Sequence, residues 1–69
     1  MNERQILLNG KPYALNEKLT IAMLLERLNI AHKIMAIAIN TYVVKSHQWG
    51  DWELHDGDEV EILDFVGGG

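Results

Sequence analysis

Short apolar runs and turn residues alternate at the beginning of the chain. Ile6-Leu7-Leu8 forms an apolar run that is followed directly by Asn9-Gly10. This dipeptide is typical of a two-residue type I′ turn, because both residues tolerate a positive φ angle. A second strand is expected from Pro12 to Leu15, with the proline at its start, where the missing N–H matters least. The pattern predicts an N-terminal β-hairpin.

The period of the apolar positions then becomes helical. Apolar side chains recur at positions i, i+3, i+4 and i+7, namely Ile21, Leu24, Leu25 and Leu28. Thr20 is expected to cap the helix by accepting a hydrogen bond from an early backbone N–H. Leu19 and Leu24 occupy the positions of a hydrophobic staple. Asn29 is expected to end the helix, since asparagine tolerates the left-handed conformation. The sequence therefore predicts a helix over residues 21–28.

The second half of the chain predicts further strands. Residues 34–39 are apolar on both alternating faces, as is typical of a central strand covered on both sides or nearly so. Asn40-Thr41 predicts a turn into a short strand over residues 42–45. Asp56-Gly57 is a second strong turn signal. It precedes a final strand over residues 59–66.

The stretch between these strands is irregular. Ser46 is expected to cap a single helical turn, and Trp49 to fix the stretch to the core. Residues 52–54 are expected to be extended.

These elements predict an α+β domain with one main helix packed on one face of a mixed four- to five-stranded sheet. Their order along the chain does not determine the sheet topology. The apolar side chains expected to meet the helix are Ile6, Leu8, Ile37, Ile39, Val60 and Ile62.

Composition excludes several classes of function. The chain has 69 residues and no cysteine, so it is a single small domain without a thiol nucleophile, a disulfide or a thiolate metal site. Its net charge of −4 argues against binding to nucleic acid or to an anionic membrane surface. The longest apolar run, residues 34–39, is too short to cross a bilayer. With no signal-peptide pattern at the N-terminus, a cytoplasmic location is expected.

The last three residues, Gly67, Gly68 and Gly69, are the most informative feature. We expect residues 1–66 to form the domain and residues 67–69 a flexible tail. Glycine has no Cβ, so such a tail can enter a channel too narrow for other residues. Its terminal carboxylate is unreactive until another enzyme activates it, for instance by adenylation with ATP. The alternative is a frayed terminus without a function.

Other candidate chemistry is weak. His32, His47 and His55 lack the spacing of metal ligands, so no metal site is expected. The acidic segment Asp56-Gly57-Asp58 lacks the further ligands of a calcium loop and favours a turn. Ser46 has no histidine in a recognisable relation to it, which argues against a nucleophile.

Taken together, the chain resembles the ThiS family, the bacterial sulfur carriers of thiamine biosynthesis, over essentially its whole length. The segments that carry the resemblance are Leu8-Asn9-Gly10-Lys11, Thr20-Ile21 with Leu24-Leu25, Ala36-Ile37-Ala38-Ile39-Asn40, Val44, Trp49, Leu54-His55-Asp56-Gly57-Asp58-Glu59-Val60-Glu61-Ile62 and Val66-Gly67-Gly68-Gly69. The resemblance implies a ubiquitin-like β-grasp fold.

The resemblance also implies a function. An E1-like activating enzyme, similar to ThiF, would adenylate the Gly69 carboxylate with ATP. A cysteine-derived persulfide would supply the sulfur for a thiocarboxylate. A thiazole synthase, similar to ThiG, would use that sulfur to form the thiazole ring. The chain would be a carrier and substrate, not an enzyme, with no bound cofactor.

Two alternatives remain open at this point. The small subunit of molybdopterin synthase shares the implied fold and the terminal Gly-Gly, but commonly has two prolines before its final segment, where this chain has Leu63-Asp64-Phe65-Val66. The chain could therefore serve molybdopterin synthesis or another sulfuration pathway. It could also be a ubiquitin-like modifier or an interaction domain.

The final strand suggests a docking surface. If Val60 and Ile62 face the helix, strand alternation places Leu63 and Phe65 on the opposite, open face. Exposed apolar groups beside acidic ones suit a surface for a protein partner. We expect Leu63, Phe65 and Val66 to be recognised together with the tail. The alternative is that Phe65 folds over the edge of the core.

Overall fold

The computed structural model describes residues 4–30 and 34–64. Its elements follow the predicted order of two strands, one helix and three further strands. In chain order they are β1 (Gln5–Leu8), β2 (Lys11–Ala14), α1 (Ile21–Arg27), β3 (Ile34–Ile39), β4 (Tyr42–Val43), a 3-10 helix (Ser46–Gln48) and β5 (Glu59–Asp64).

The five strands form one mixed sheet in the order β2-β1-β5-β3-β4. Strand β5 is parallel to β1 and antiparallel to β3, and both hairpins, β1–β2 and β3–β4, are antiparallel. The C-terminal strand thus occupies the centre of the sheet. The predicted mixed sheet with one main helix is confirmed, with five strands.

Two hairpin turns use residues in the left-handed region. Asn9 and Gly10 have φ angles of 50° and 86°, as the type I′ prediction requires. Asn40 and Thr41 do the same between β3 and β4, with φ angles of 51° and 72°. Strand β2 begins one residue earlier than predicted and ends before Leu15, which is buried outside the sheet.

The helix confirms the predicted cap. The Thr20 hydroxyl accepts a hydrogen bond from the backbone N–H of Met23 at 3.2 Å. Helix α1 ends one residue before the predicted end, because Leu28 is its C-cap. Asn29 follows with a φ angle of 60°, the predicted left-handed stop.

The core lies between α1 and one face of the sheet. The helix contributes Ile21, Leu24 and Leu25, which are all fully buried. The buried sheet residues of the same cluster are Ile6, Ile37, Ile39 and Val60, and the partly buried Leu8 and Ile62 pack against them. All six side chains predicted to meet the helix therefore belong to this face.

A β-bulge interrupts the pairing of β3 with β5. Ala36 pairs with Leu63, but Ile34 pairs with Asp64, so β3 advances two residues while β5 advances one. A bulge of this kind breaks the strict alternation of faces. It allows Ile34 to pack against the same core as Ile37, three positions along the chain.

The segment after β4 departs from the prediction in two ways. Strand β4 ends at Val43 instead of continuing to residue 45, because Lys45 caps the 3-10 helix. The expected cap at Ser46 is wrong, since this residue is the first of the helix. The backbone N–H of Lys45 donates to the side-chain oxygen of Gln48 at 3.2 Å and closes the turn instead.

Residues 52–54 are extended, as predicted, but they join the start of the helix rather than the sheet. The Ile21 N–H donates to the Trp52 carbonyl at 3.0 Å, and the Leu54 N–H donates to the Leu19 carbonyl at 2.8 Å. Thr20 and Glu53 form an isolated bridge between them. In residues 4–30 and 34–64, no helix is long and apolar enough to span a membrane.

Candidate functional site

The candidate site is the end of β5 and the sheet face beside it. Strand β5 leads directly to the segment that the sequence singles out. The predicted docking residues Phe65 and Val66, and the tail residues Gly67, Gly68 and Gly69, lie outside the described residues. Leu63 is the predicted site residue whose surroundings the structure describes.

The sheet face opposite α1 carries Leu63, as predicted; we call it the open face. Leu63 is 59% exposed, and so is Val43 on the edge strand. Between them runs an open depression of about 530 Å³. It is lined by five residues of the open face, Ala36, Ala38, Val43, Glu61 and Leu63, and is bordered by Asn9 and by the core-face residues Ile37 and Ile62. The two alanines keep this surface low beside Leu63, which leaves room for an apolar side chain of a partner.

The open face also carries negative charge. The register pairs Leu7 with Glu59 and Ala38 with Glu61, so both carboxylates lie on this face, and both are exposed. Its described positions, by the strand register, are Gln5, Leu7, Pro12, Ala14, Ala36, Ala38, Val43, Glu59, Glu61 and Leu63. Lysine and arginine are absent from these ten positions. The open face is thus apolar beside the end of β5 and acidic along its middle.

Two asparagines hold β5 from its two sides. The side-chain oxygen of Asn40 accepts a hydrogen bond from the Glu59 N–H at 2.9 Å, on the β3 side. The side-chain oxygen of Asn9 accepts one from the Ile62 N–H at 2.8 Å, on the β1 side. Sequence reasoning treated both residues only as turn formers. Their turn signal was visible, but their partners are 19 and 53 residues away in the chain.

The acidic turn before β5 has a structural role. Asp56 accepts a hydrogen bond from the Gln5 N–H at 2.8 Å. Asp58 accepts from the His55 N–H at 2.8 Å and from the Asn40 side-chain amide at 3.0 Å. Both carboxylates stabilise the turn by accepting hydrogen bonds, in agreement with the turn that the sequence predicts. No group of three metal-ligating side chains occurs within residues 4–30 and 34–64.

The comparisons with known proteins agree with the fold, and the family match includes the tail. A model of the ThiS family matches residues 6–69. The sulfur carrier protein ThiS of Escherichia coli (strain K12) is 32% identical over 65 residues, which cover 94% of this chain and 98% of that protein. The crystal structure of the thiamine biosynthesis protein ThiS of Geobacter metallireducens matches with a TM-score of 0.78 and 32% identity, covering 94% of this chain and 99% of that one.

A further relative is larger. A thiazole synthase of Magnetococcus marinus is 34% identical over 65 residues, which cover 94% of this chain and 20% of that protein. A segment similar to this chain is therefore part of an enzyme polypeptide in that organism.

Proposed function

Because this chain belongs to the ThiS family, we propose that it carries sulfur as a thiocarboxylate on Gly69. The family match and the relative in Escherichia coli make it a sulfur carrier of thiamine biosynthesis. The observation that carries the chemical part of the proposal is that the family match runs through all three terminal glycines. The proposal includes the predicted division of the chain into a domain over residues 1–66 and a tail over residues 67–69.

The proposed chemistry begins at an unreactive group. The Gly69 carboxylate attacks the α-phosphorus of ATP on an E1-like, ThiF-like activating enzyme, which forms an acyl adenylate and releases pyrophosphate. A persulfide then displaces AMP from the acyl carbon. A thiol cleaves the resulting acyl disulfide, leaving the thiocarboxylate on Gly69 and a disulfide on the donor side. ATP is bound by the partner in this scheme, and the carrier holds no cofactor.

The carrier supplies an anchored, movable carboxylate, and its partners supply the catalysis. The chain has no cysteine, so it cannot hold sulfur as a persulfide, and the terminal carbonyl carbon is where sulfur can reside. The tail follows β5, a central strand that is hydrogen-bonded on both sides. Activation requires ATP, so the cytoplasm is the proposed location.

We assign the open face to partner docking. Leu63 is the proposed contact residue that lies within the described residues, and Phe65 and Val66 are predicted contact residues outside them. The partners are the activating enzyme and a ThiG-like thiazole synthase. The thiazole synthase of Magnetococcus marinus supports the second, because it contains a segment similar to this chain. A matching partner surface presents an apolar side chain toward Leu63 and cationic groups toward Glu59 and Glu61.

Intact mass tests the proposed function. The chain with its native C-terminus is incubated with the activating enzyme and persulfide source of the same organism and with ATP. We expect a mass gain equal to replacing one oxygen by one sulfur, which is lost when Gly68 and Gly69 are deleted. An unchanged mass, with an enzyme that is active on another carrier, would overturn the proposal. A mass that instead records attachment to a lysine of another protein would identify a modifier.

A further inference from the structure

Asn9 continues the pairing of β1 with β5 after β1 itself has ended. In a parallel ladder, one residue donates its N–H to one partner residue and accepts from the N–H two positions further along. The Asn9 N–H donates to the Val60 carbonyl at 2.8 Å. The acceptor for the Ile62 N–H is the Asn9 side-chain oxygen, at 2.8 Å. The side chain thus takes the place of a strand carbonyl.

The turn explains why a side chain is needed there. Asn9 has a φ angle of 50°, so its backbone has already left the strand and turned toward Gly10. Leu8 is the last residue of β1 and pairs with Val60. Past this point β1 no longer accompanies β5, which continues to Asp64. The Asn9 side chain therefore holds β5 on this side at Ile62, seven residues before Gly69.

We propose that Asn9 is a positioning residue for sulfur loading. This inference rests on the proposed function. By fixing Ile62, it holds the β1 side of β5 near the end of the strand, while β3 pairs with the other side up to Asp64. A strand end that is held on both sides limits the positions from which Gly69 is presented to the activating enzyme, so less conformational entropy is lost during loading. The role requires only the acceptor oxygen of the side chain.

Asn40 provides a matched control in the same molecule. It has a φ angle of 51°, and its side-chain oxygen also accepts a hydrogen bond from β5. That bond is to Glu59, at the beginning of the strand, ten residues before Gly69. Asn9→Gly and Asn40→Gly each keep a residue that tolerates positive φ and remove one bond to β5. Asn40→Gly also removes the bond that the Asn40 side-chain amide donates to Asp58, so it is the more disruptive change of the two. Only the Asn9 change acts near the tail.

The experiment measures thiocarboxylate formation by intact mass, at a temperature where circular dichroism shows every variant folded. We expect Asn9→Gly to lower kcat about fivefold with little change in KM, the equivalent of one hydrogen bond of about 1 kcal/mol. Asn40→Gly should change kcat less than about twofold, because its bond lies far from the tail. Asn9→Asp keeps an acceptor oxygen and should restore kcat to within about twofold of the wild type. The Ile62 amide should exchange faster in Asn9→Gly and return toward the wild-type rate in Asn9→Asp.

Equal loss of kcat in Asn9→Gly and Asn40→Gly would show a general effect of stability and overturn the inference. So would a wild-type kcat for Asn9→Gly, with the sulfur carrier function intact. Failure of the wild-type chain to gain sulfur at all would instead overturn the proposed function, and the role of Asn9 with it.

Discussion

Trp49 donates its indole N–H to the backbone carbonyl of Val44 at 3.0 Å. The bond closes the segment that contains the 3-10 helix, and Trp49 packs against the core. The backbone carbonyl of Trp49 in turn accepts from the Ala22 N–H at 3.1 Å, which joins this segment to the first turn of α1. Trp49 thus connects the segment that follows β4 to helix α1.

Replacing Trp49 by phenylalanine should destabilise the domain by about 1 to 2 kcal/mol, because the partly buried Val44 carbonyl loses its donor. Urea unfolding followed by far-ultraviolet circular dichroism measures the change. Trp52→Phe is the matched control, since Trp52 acts by stacking on Tyr42 with ring centroids 5.5 Å apart, and phenylalanine keeps a ring there. Equal losses for the two variants would contradict the role given to the indole N–H.

Thr20→Ala should cost about 1 kcal/mol, because it removes the acceptor for the Met23 N–H at the start of α1. Thr20→Ser keeps the hydroxyl and should retain most of the wild-type stability. Urea midpoints of the three proteins check this. A serine variant as unstable as the alanine variant would show that the methyl group, not the cap, matters.

Gly57→Ala should destabilise the domain by about 1 to 2 kcal/mol through its backbone alone. Gly57 has a φ angle of 88°, while a Cβ built there meets no heavy atom within 4 Å. Gly50 is equally open, but its φ is not in the left-handed region. Gly50→Ala should therefore be neutral or stabilising by up to about 1 kcal/mol. Thermal unfolding of both variants checks the contrast, and equal effects would refute it.

Leu63→Ala should weaken binding to the activating enzyme about tenfold, as truncation of an apolar anchor at an interface does. Its unfolding free energy should change little, because the side chain is mostly exposed. Met23→Ala is the control, since Met23 is 43% exposed on α1, on the other side of the sheet. Titration calorimetry with the purified enzyme measures both. Unchanged affinity for Leu63→Ala would remove the open face from the docking proposal.

Glu61→Lys should slow association with the activating enzyme about tenfold at low salt and much less at high salt, because screening weakens attraction between exposed charges. Glu26→Lys on α1 makes the same change in net charge away from the open face and should have a smaller effect. Stopped-flow measurements at several ionic strengths compare the two. If both variants slow association equally, net charge alone is responsible.

Local signals predicted most of the elements. The apolar spacing of α1, the Thr20 cap and the Asn9-Gly10 turn each depend on residues within a few positions of one another, and the structure confirms all three. The length of β4 and the cap of the 3-10 helix were wrong by one or two residues. Gln48 closes that turn as the N3 residue of a capping box, a pattern that is hard to recognise here because lysine stands at the N-cap position instead of serine or threonine.

Long-range relationships could not be predicted from the same signals. The place of β5 between β1 and β3 depends on pairing across the whole chain. The bulge that brings Ile34 to the core is invisible in a run of apolar residues. The asparagines that hold β5 were recognised for their backbone freedom. Their side-chain oxygens gained a role only when β5 came to lie beside them.

The parallel pairing of β1 with β5 has a practical consequence for fusion proteins. Both strands run in the same direction, Leu8 lies opposite Val60, and β5 continues four residues beyond that point. At about 3.3 Å per residue, Arg4 and Asp64 therefore lie at opposite ends of the sheet. A label or enzyme attached before Arg4 is joined at the end of the sheet opposite Asp64, so N-terminal fusion is the arrangement that keeps the end of β5 accessible.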